Sequence, residues 1–203
     1  MNTNTDLAYE IQRKYLKNKD IHAYKVGASN LSSKIFFGTT SIIIGGIEKK
    51  NIYKNSIKKN YPIAELEIAI KVKYDSKAKT KIKILNYYVA IECPSIDIEN
   101  KEGSEFICIA DNCSSGDLIL LDEVDKINFD KFNLTISEED CDTDVVNADI
   151  NRLVYPIKTI INQTIDLIEH HKLPFNNEFY ISTGGISDIF SLKSYNTVTL
   201  NYE

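Results

Sequence analysis

The sequence predicts an α+β fold. Two segments of helical period, one near the start and one at 155–175, alternate with runs of β-branched and alternating residues, and Gly, Asn and Pro punctuate the joins. In "TDLAYEIQRKYLKNKD", Leu7, Ile11 and Tyr15 recur every four residues behind Thr5, an available N-cap, so a helix of about three turns is expected. "IHAYKVGAS" follows as a short β-type run broken at Gly27, and "KIFFGTTSIIIGG" is apolar, β-branched and interrupted by Gly38, Gly45 and Gly46. The polar stretch 47–60, with the lysine-rich "KKNIYKNSIKKN", reads as a solvated loop. Strands are expected at 63–74, 84–92 and 105–110, then a turn at "DNCSSG" and a further strand at 118–121. In "YPIKTIINQTIDLIEHHKLPF", Pro156 stands at the first helical position, Ile157, Ile160, Ile161, Thr164, Leu167 and Ile168 keep helical spacing, and Pro174 lies beyond the end. "EFYISTGGISDIF" and "TVTLNYE" read as strand, glycine turn and strand. No repeat or low-complexity linker divides the chain, which is read as one domain over 1–203.

At 203 residues, 43% hydrophobic and 26% charged, the composition is that of a globular domain and excludes a disordered chain. A net charge of -5 offers no basic footprint, so no nucleic-acid partner is expected. No window approaches the ~18 apolar residues of a membrane span, and no membrane partner is expected. "MNTNTDLAYE" lacks the basic and apolar regions of a signal peptide. A cytoplasmic location is expected, with Cys93, Cys108, Cys113 and Cys141, which form no CxxC pair, as reduced thiols.

"YPIAELEIAI" places two glutamates in an apolar run. Strand alternation puts Ala64, Leu66, Ile68 and Ile70 on one face and Ile63, Glu65, Glu67 and Ala69 on the other. The Cα atoms of Glu65 and Glu67 are then about 6.6 Å apart, within reach of one divalent ion. Unpartnered they repel, and burial adds a desolvation cost. A hard cation such as Mg²⁺ or Mn²⁺ removes both penalties, while a solvent-facing strand surface is the alternative reading. Glu92 interrupts "NYYVAIECPSI" just before Cys93 and Pro94, near the end of its element. Lys25, in an apolar segment before Gly27, either snorkels to solvent or is held in a pocket to neutralise a developing oxyanion. His22 falls on the strand face opposite Lys25. His170 and His171 fall at a helix C-terminus, where imidazolium suits the dipole, and adjacent helical residues point about 100° apart, which argues against a shared ion.

Taken in order, "DLAYEIQ", "AYKVGAS", "FFG", "AELEIAI", "AIEC", "ADNCSSG" and "YPIKTIINQTIDLIEHHKLPFNNEFYISTGG" resemble successive blocks of the 2-keto-4-pentenoate hydratase and 4-oxalocrotonate decarboxylase branch of the fumarylacetoacetate hydrolase superfamily. The resemblance spans nearly the whole chain. It implies a mixed β-sheet roll flanked by helices, shortened at both ends relative to the family, and a homo-oligomer. It implies that Glu65, Glu67 and Glu92 are the carboxylate ligands of Mg²⁺ or Mn²⁺. A 2-oxo acid or 2-hydroxydienoate would chelate that ion through its carboxylate and its 2-oxo or enolate oxygen, and react as in a hydratase or decarboxylase through a metal-stabilised enolate. Lys25 would add positive charge beside that oxygen. Thr183 and Gly184 would contact the substrate carboxylate through hydroxyl and backbone N–H, and Asp111 and Asn112 would stand in the pocket wall.

The family pattern is not met everywhere. "TTSIIIGG" holds no ionisable side chain where the family has an acidic lid residue, and Asp97 stands about where an arginine is expected after Glu92. "SYN" replaces the family's late glycine-containing turn, and its terminal glycine-containing strand is absent. Two alternatives therefore accompany the lyase. One is a non-catalytic homologue that binds metal and oxo acid. The other is an acylpyruvate hydrolase or oxaloacetate decarboxylase, which needs acid–base groups in the lid.

Overall fold

A mixed sheet of eight strands carries the fold in a computed structural model that describes residues 3–78, 81–95, 104–127, 130–138, 141–194 and 196–202. Its order is β2 (Ile43–Glu48), β1 (Ile21–Gly27), β9 (Glu178–Ser182), β4 (Tyr61–Tyr74), β5 (Ile82–Cys93), β6 (Asp117–Val124) and β3 (Ile52–Lys54), with β10 (Phe190–Leu192) also on β4. Pairing is parallel between β1 and β9 and between β3 and β6, and antiparallel elsewhere. The sheet curls, flanked by helices α1 (Thr3–Leu16), α2 (Leu31–Phe37), α3 (Glu105–Ala110) and α4 (Ile157–His171). A second, three-stranded sheet has the order β11 (Thr197–Tyr202), β7 (Lys131–Glu138), β8 (Cys141–Asp149). No helix among the described residues is long and apolar enough to cross a membrane.

The alternation read in "YPIAELEIAI" is realised in β4. Leu66, Ile68 and Ile70 enter the main core, where each fully buried side chain stabilises the fold by about 1.5–3 kcal/mol. Ala69, on the opposite face, joins a smaller cluster with Ala23, Tyr88, Ala90 and Leu118. The long helix also forms as read, with Ile160, Ile161, Thr164, Ile165 and Ile168 buried and Pro156 one place earlier, at the N-cap.

Other elements differ from expectation. Residues 105–110 are α3 rather than a strand: the Ser104 hydroxyl accepts from Ile107 N–H and caps a helix, a signal that the five apolar residues after Glu105 are too few to outweigh by period. Helix α1 turns Leu7, Ile11 and Tyr15 to solvent and buries Ala8, Tyr9, Gln12 and Leu16. The reason is polar. Ile44 donates its N–H to the Tyr9 hydroxyl at 3.2 Å and its carbonyl accepts from Gln12 Nε2 at 2.7 Å, so α1 covers the open edge of β2. Thr5 is no cap; its hydroxyl donates to Glu105 Oε1 at 3.0 Å. Residues 34–37 belong to α2, which starts at an Asn30–Ser33 capping box. The expected loop 47–60 contains the end of β2, a 3-10 turn at Lys49–Asn51 and β3. Asp97 and Tyr195 lie outside the described residues.

The turn "DNCSSG" is a clamp. The Asn112 side chain accepts Gly46 N–H at 2.7 Å and donates to Gly46 O at 2.8 Å. A Cβ on Gly45 would lie 2.2 Å from Asn112 O, so the close approach requires glycine there. Asn112→Ala leaves both backbone groups of Gly46 unpaired, and a loss of about 2–4 kcal/mol with an unchanged urea m-value is expected. A loss below about 0.5 kcal/mol would show that the clamp contributes nothing.

Candidate metal and substrate site

Register alone brings the acidic residues together. Glu65 stands opposite Glu92, and Glu67 opposite Ala90, and cross-strand partners share a face. Oxygens of Glu65, Glu67 and Glu92 lie within 4.8 Å of one another. Glu67 and Glu92 are buried and Glu65 partly so. Strand β1 reaches this face through β9: Lys25 pairs with Ser182, and Ser182 with Ala69, two residues past Glu67. Lys25 Nζ thereby lies 3.0 Å from Glu92 Oε1.

Beside these residues β4 changes neighbour. Strand β9 ends at Ser182 and β10 begins at Phe190, and the segment between them continues the pairing irregularly, with Thr183 N–H on Ile68 O at 3.0 Å and Ile186 N–H on Leu66 O at 2.9 Å. Gly184 bends the chain at φ +97°, and a Cβ on Gly185 would fall 2.4 Å from Glu65 Oε1. "STGG" is thus the bend that lets backbone pass the carboxylates. The Ser182 hydroxyl and, at 3.0 Å, Gly184 N–H both donate to Glu67 Oε2.

Burial raises the Glu67 carboxyl, and the charges of Glu92 and Glu65 raise it further. Burial raises Glu92 against the opposing pull of Lys25, and raises Glu65 as well. Burial pulls Lys25 down, but Glu92, Glu67 and Glu65 outweigh it and hold the lysine up, as an ammonium. When ionised, three carboxylates face one ammonium; Lys25 takes up Glu92 Oε1, and Glu92 Oε2 is buried with no partner among the described residues. An all-oxygen donor set with uncompensated negative charge and an orphaned buried acceptor fits a hard divalent cation.

A cavity of ≈ 820 Å³ opens over this floor. Leu31, Phe36 and Phe37 of α2, with Ile63 and Ile189, make an apolar side, and Arg152, paired to Asp188 at 2.8 Å, stands in the wall. Helix α2 buries none of its own residues. Polar contacts hold it: Asn30 Nδ2 donates to Gly185 O at 2.9 Å, and Lys34 Nζ to Tyr155 Oη at 2.8 Å and Thr40 O at 2.6 Å.

Of the residues singled out in the sequence, Lys25, Glu65, Glu67 and Glu92 come together. Thr183 and Gly184 stand behind the floor: the Thr183 hydroxyl is buried without a partner among the described residues, and Gly184 N–H is engaged by Glu67. Asp111 and Asn112 do not line the cavity. Asp111 is exposed at the end of α3, Asn112 clamps Gly46, and Cys108, Cys113 and Ser114 form that part of the wall. His22 lies 3.0 Å from Asp20, apart from the carboxylates. Ser182, Arg152 and Asp188 escape sequence reading. Arg152 carries one usable signal, being one of two arginines in a chain whose other basic residues are lysines.

No family model matches this sequence, and no curated protein matches it. Solved structures do. The 4-oxalocrotonate decarboxylase from Pseudomonas putida G7, complexed with magnesium and adipate, matches with a TM-score of 0.72 and 15% identity over 96% of this chain and 81% of that one. The same enzyme with calcium and acetate gives 0.69 and 14%, covering 96% and 80%. A protein of the fumarylacetoacetate hydrolase family from Yersinia pestis CO92 gives 0.56 and 12%, covering 90% and 88%. At such identities the likeness is one of fold, and the fold is the one the sequence blocks imply.

The crowded floor has a consequence for the metal-free protein. Because the folded-state carboxyl of Glu67 is raised above its ordinary 4.5, its contribution to stability is present at acid pH and lost as pH rises from there through neutrality. Glu67→Gln removes that loss. Its melting temperature should exceed that of the wild type at neutral pH by about 2–8 °C, for a gain on the order of 1–2 kcal/mol, and the difference should shrink toward pH 5. A pH-independent difference would contradict the electrostatic origin.

Proposed function

We propose that this chain is a divalent-metal-dependent lyase of the hydratase or decarboxylase type, acting on a 2-oxo acid or 2-hydroxydienoate. Glu65, Glu67 and Glu92 would hold Mg²⁺ or Mn²⁺. The observation that carries the reading is the carboxylate cluster, crowded around a single ammonium and with Glu92 Oε2 left unpartnered, at the floor of a cavity. The fold shared with the magnesium- and calcium-complexed decarboxylase supports it.

When bound, the ion supplies a Lewis acid for the 2-oxo group and an acidified water. The protein's own residues prepare that site. Ser182 and Gly184 bond Glu67 through Oε2, so Oε1 is the oxygen left to face a cation. Lys25, kept protonated by its neighbours, is a fixed positive charge that favours developing negative charge and is no base. Helix α2 lines the cavity, and its apolar side would suit an uncharged tail on the substrate. A homo-oligomer and a cytoplasmic location belong to the same reading, and light scattering tests the former.

One observation favours a second reading, binding of metal and oxo acid without turnover. Thr39 to Gly46 carry no ionisable side chain, and Lys34 of α2 is taken up by Thr40 and Tyr155, so the cover presents no acid or base among its described residues. The same absence counts against an acylpyruvate hydrolase or oxaloacetate decarboxylase.

Calorimetric titration of metal-stripped protein with Mn²⁺, with and without oxalate, is the direct test. The wild type should bind Mn²⁺, and oxalate only with it. Glu67→Gln should weaken Mn²⁺ by more than the about 10–100-fold typical of losing a group outside the ligand set. Absence of Mn²⁺ binding by wild type would overturn both readings. Binding of oxalate with no turnover of any 2-oxo acid or 2-hydroxydienoate would leave the second. In an active protein, Lys25→Met should keep the ion and lower kcat by about 10²–10³-fold, the scale of a lost oxyanion-stabilising group.

A further inference from the structure

A second group of metal-type ligands lies where the ends of α1 and α4 meet. Asp6 is in the first turn of α1, and His170 and His171 close α4. Adjacent helical residues point about 100° apart, so the histidines alone would not share an ion. The fold changes this: the two rings meet edge to face at 4.6 Å, and Asp6 is set beside both. His170 Nε2 is 3.6 Å from Asp6 Oδ1 and His171 Nδ1 is 3.9 Å from the same oxygen, and all three atoms lie within 4.8 Å of one another.

These gaps exceed the about 2.7–3.2 Å of an N–H···O hydrogen bond. They approach the separation of two ligands on one zinc, about 3.4 Å for bonds of about 2.0–2.1 Å at a tetrahedral angle. The His171 ring is also held in place. Its side chain is 6% exposed and stacks on Tyr9 at 4.0 Å and 17°, and its Nε2 is buried with no hydrogen-bond partner among the described residues. Tyr9 is fixed in turn by Ile44 N–H at 3.2 Å. His170 and Asp6 are half-exposed, which gives an ion entry and leaves room for water.

We propose that Asp6, His170 and His171 form a surface site for a borderline transition-metal ion, Zn²⁺ in the first instance, that ties α1 to α4. Two imidazoles and one carboxylate select such an ion over Mg²⁺, whose ligands are oxygen. The site is independent of the three-glutamate floor and shares no residue with it.

The test uses the metal-stripped full chain carrying Glu67→Gln, so that the floor does not compete, titrated with ZnCl₂ and separately with Co²⁺. One zinc per chain is expected, with a zinc-dependent rise in melting temperature. Adding His170→Ala or Asp6→Asn, both at half-exposed positions, should weaken zinc at least tenfold, abolish the rise and remove the visible Co²⁺ absorption. His171 is left intact because it packs on Tyr9. Excess Mg²⁺ should not displace the zinc. No zinc uptake by the Glu67→Gln protein, or uptake unchanged by both further substitutions, would overturn the proposal and leave the cluster as a histidine–aspartate ion pair.

Discussion

Three carboxylates share one patch of sheet with a single ammonium, and the surrounding structure is arranged around that imbalance. Two like charges about 4 Å apart repel by about 4 kcal/mol at the effective dielectric of a protein surface, and burial adds to this. Strand β4 offsets the cost on its other face. Leu66, Ile68 and Ile70 alternate with Glu65, Glu67 and Ala69, so stabilisation and electrostatic cost come from the same few residues of one strand. The partners already present are selective: two donors go to one oxygen of Glu67 and one ammonium to one oxygen of Glu92. The remaining oxygens are left with negative charge and little to satisfy it, the condition that metal binding relieves.

Placement of the floor depends on strand register rather than on loops. Lys25, Ser182, Glu67 and Glu92 come from four strands, related through the pairs Lys25 with Ser182, Ser182 with Ala69, and Glu65 with Glu92. A shift of one residue in any ladder would turn its side chain to the opposite face. Groups carried on paired strands are held more closely than groups on loops. The cover is built differently. Helix α2 buries no residue fully, packs Phe37 against the core from outside, and is otherwise attached through Asn30 and Lys34, so little of the sheet's packing depends on it.

The same division decides how much can be read in the sequence. Alternation in "YPIAELEIAI" places two carboxylates on one face, and Pro94 puts Glu92 near a strand end, both local signals that tertiary structure leaves standing. The fate of Lys25, solvent or pocket, is not local: it is decided by the parallel pairing of β1 with β9, elements about 150 residues apart, and by Glu92 on a third strand. Helix α1 shows a limit of period counting. Its regular apolar stripe faces outward because Gln12 and Tyr9 satisfy the exposed backbone of Ile44, and hydrogen bonding to an uncovered strand edge outweighs burying Leu7 and Ile11. Residues 105–110 and 52–54 are illegible for a simpler reason: a helix of under two turns and a three-residue edge strand are too short to carry a period. The β7–β8 hairpin has no glycine turn of the kind that marks hairpins.

Specificity must then lie where the sheet does not reach. On the proposed function, the floor would meet a chelating pair of oxygens and leave the tail that carries them untouched. The atoms that meet the rest of a ligand belong to α2, to Arg152 on the 3-10 turn after β8, and to Asp188 and Ile189 before β10. Arg152 is tied to Asp188, which is 89% exposed, and an ion pair so open to water is weakly held. While the pair persists, the cavity beyond the floor is effectively neutral and apolar. A ligand carboxylate of the right reach can replace Asp188 on the guanidinium at little cost, because an exposed aspartate returns to water without loss. Floor and wall are therefore separable: on the proposed function, substitutions at 152 and 188 would change which tails are accepted while the carboxylates, Lys25 and their strand register stay as they are.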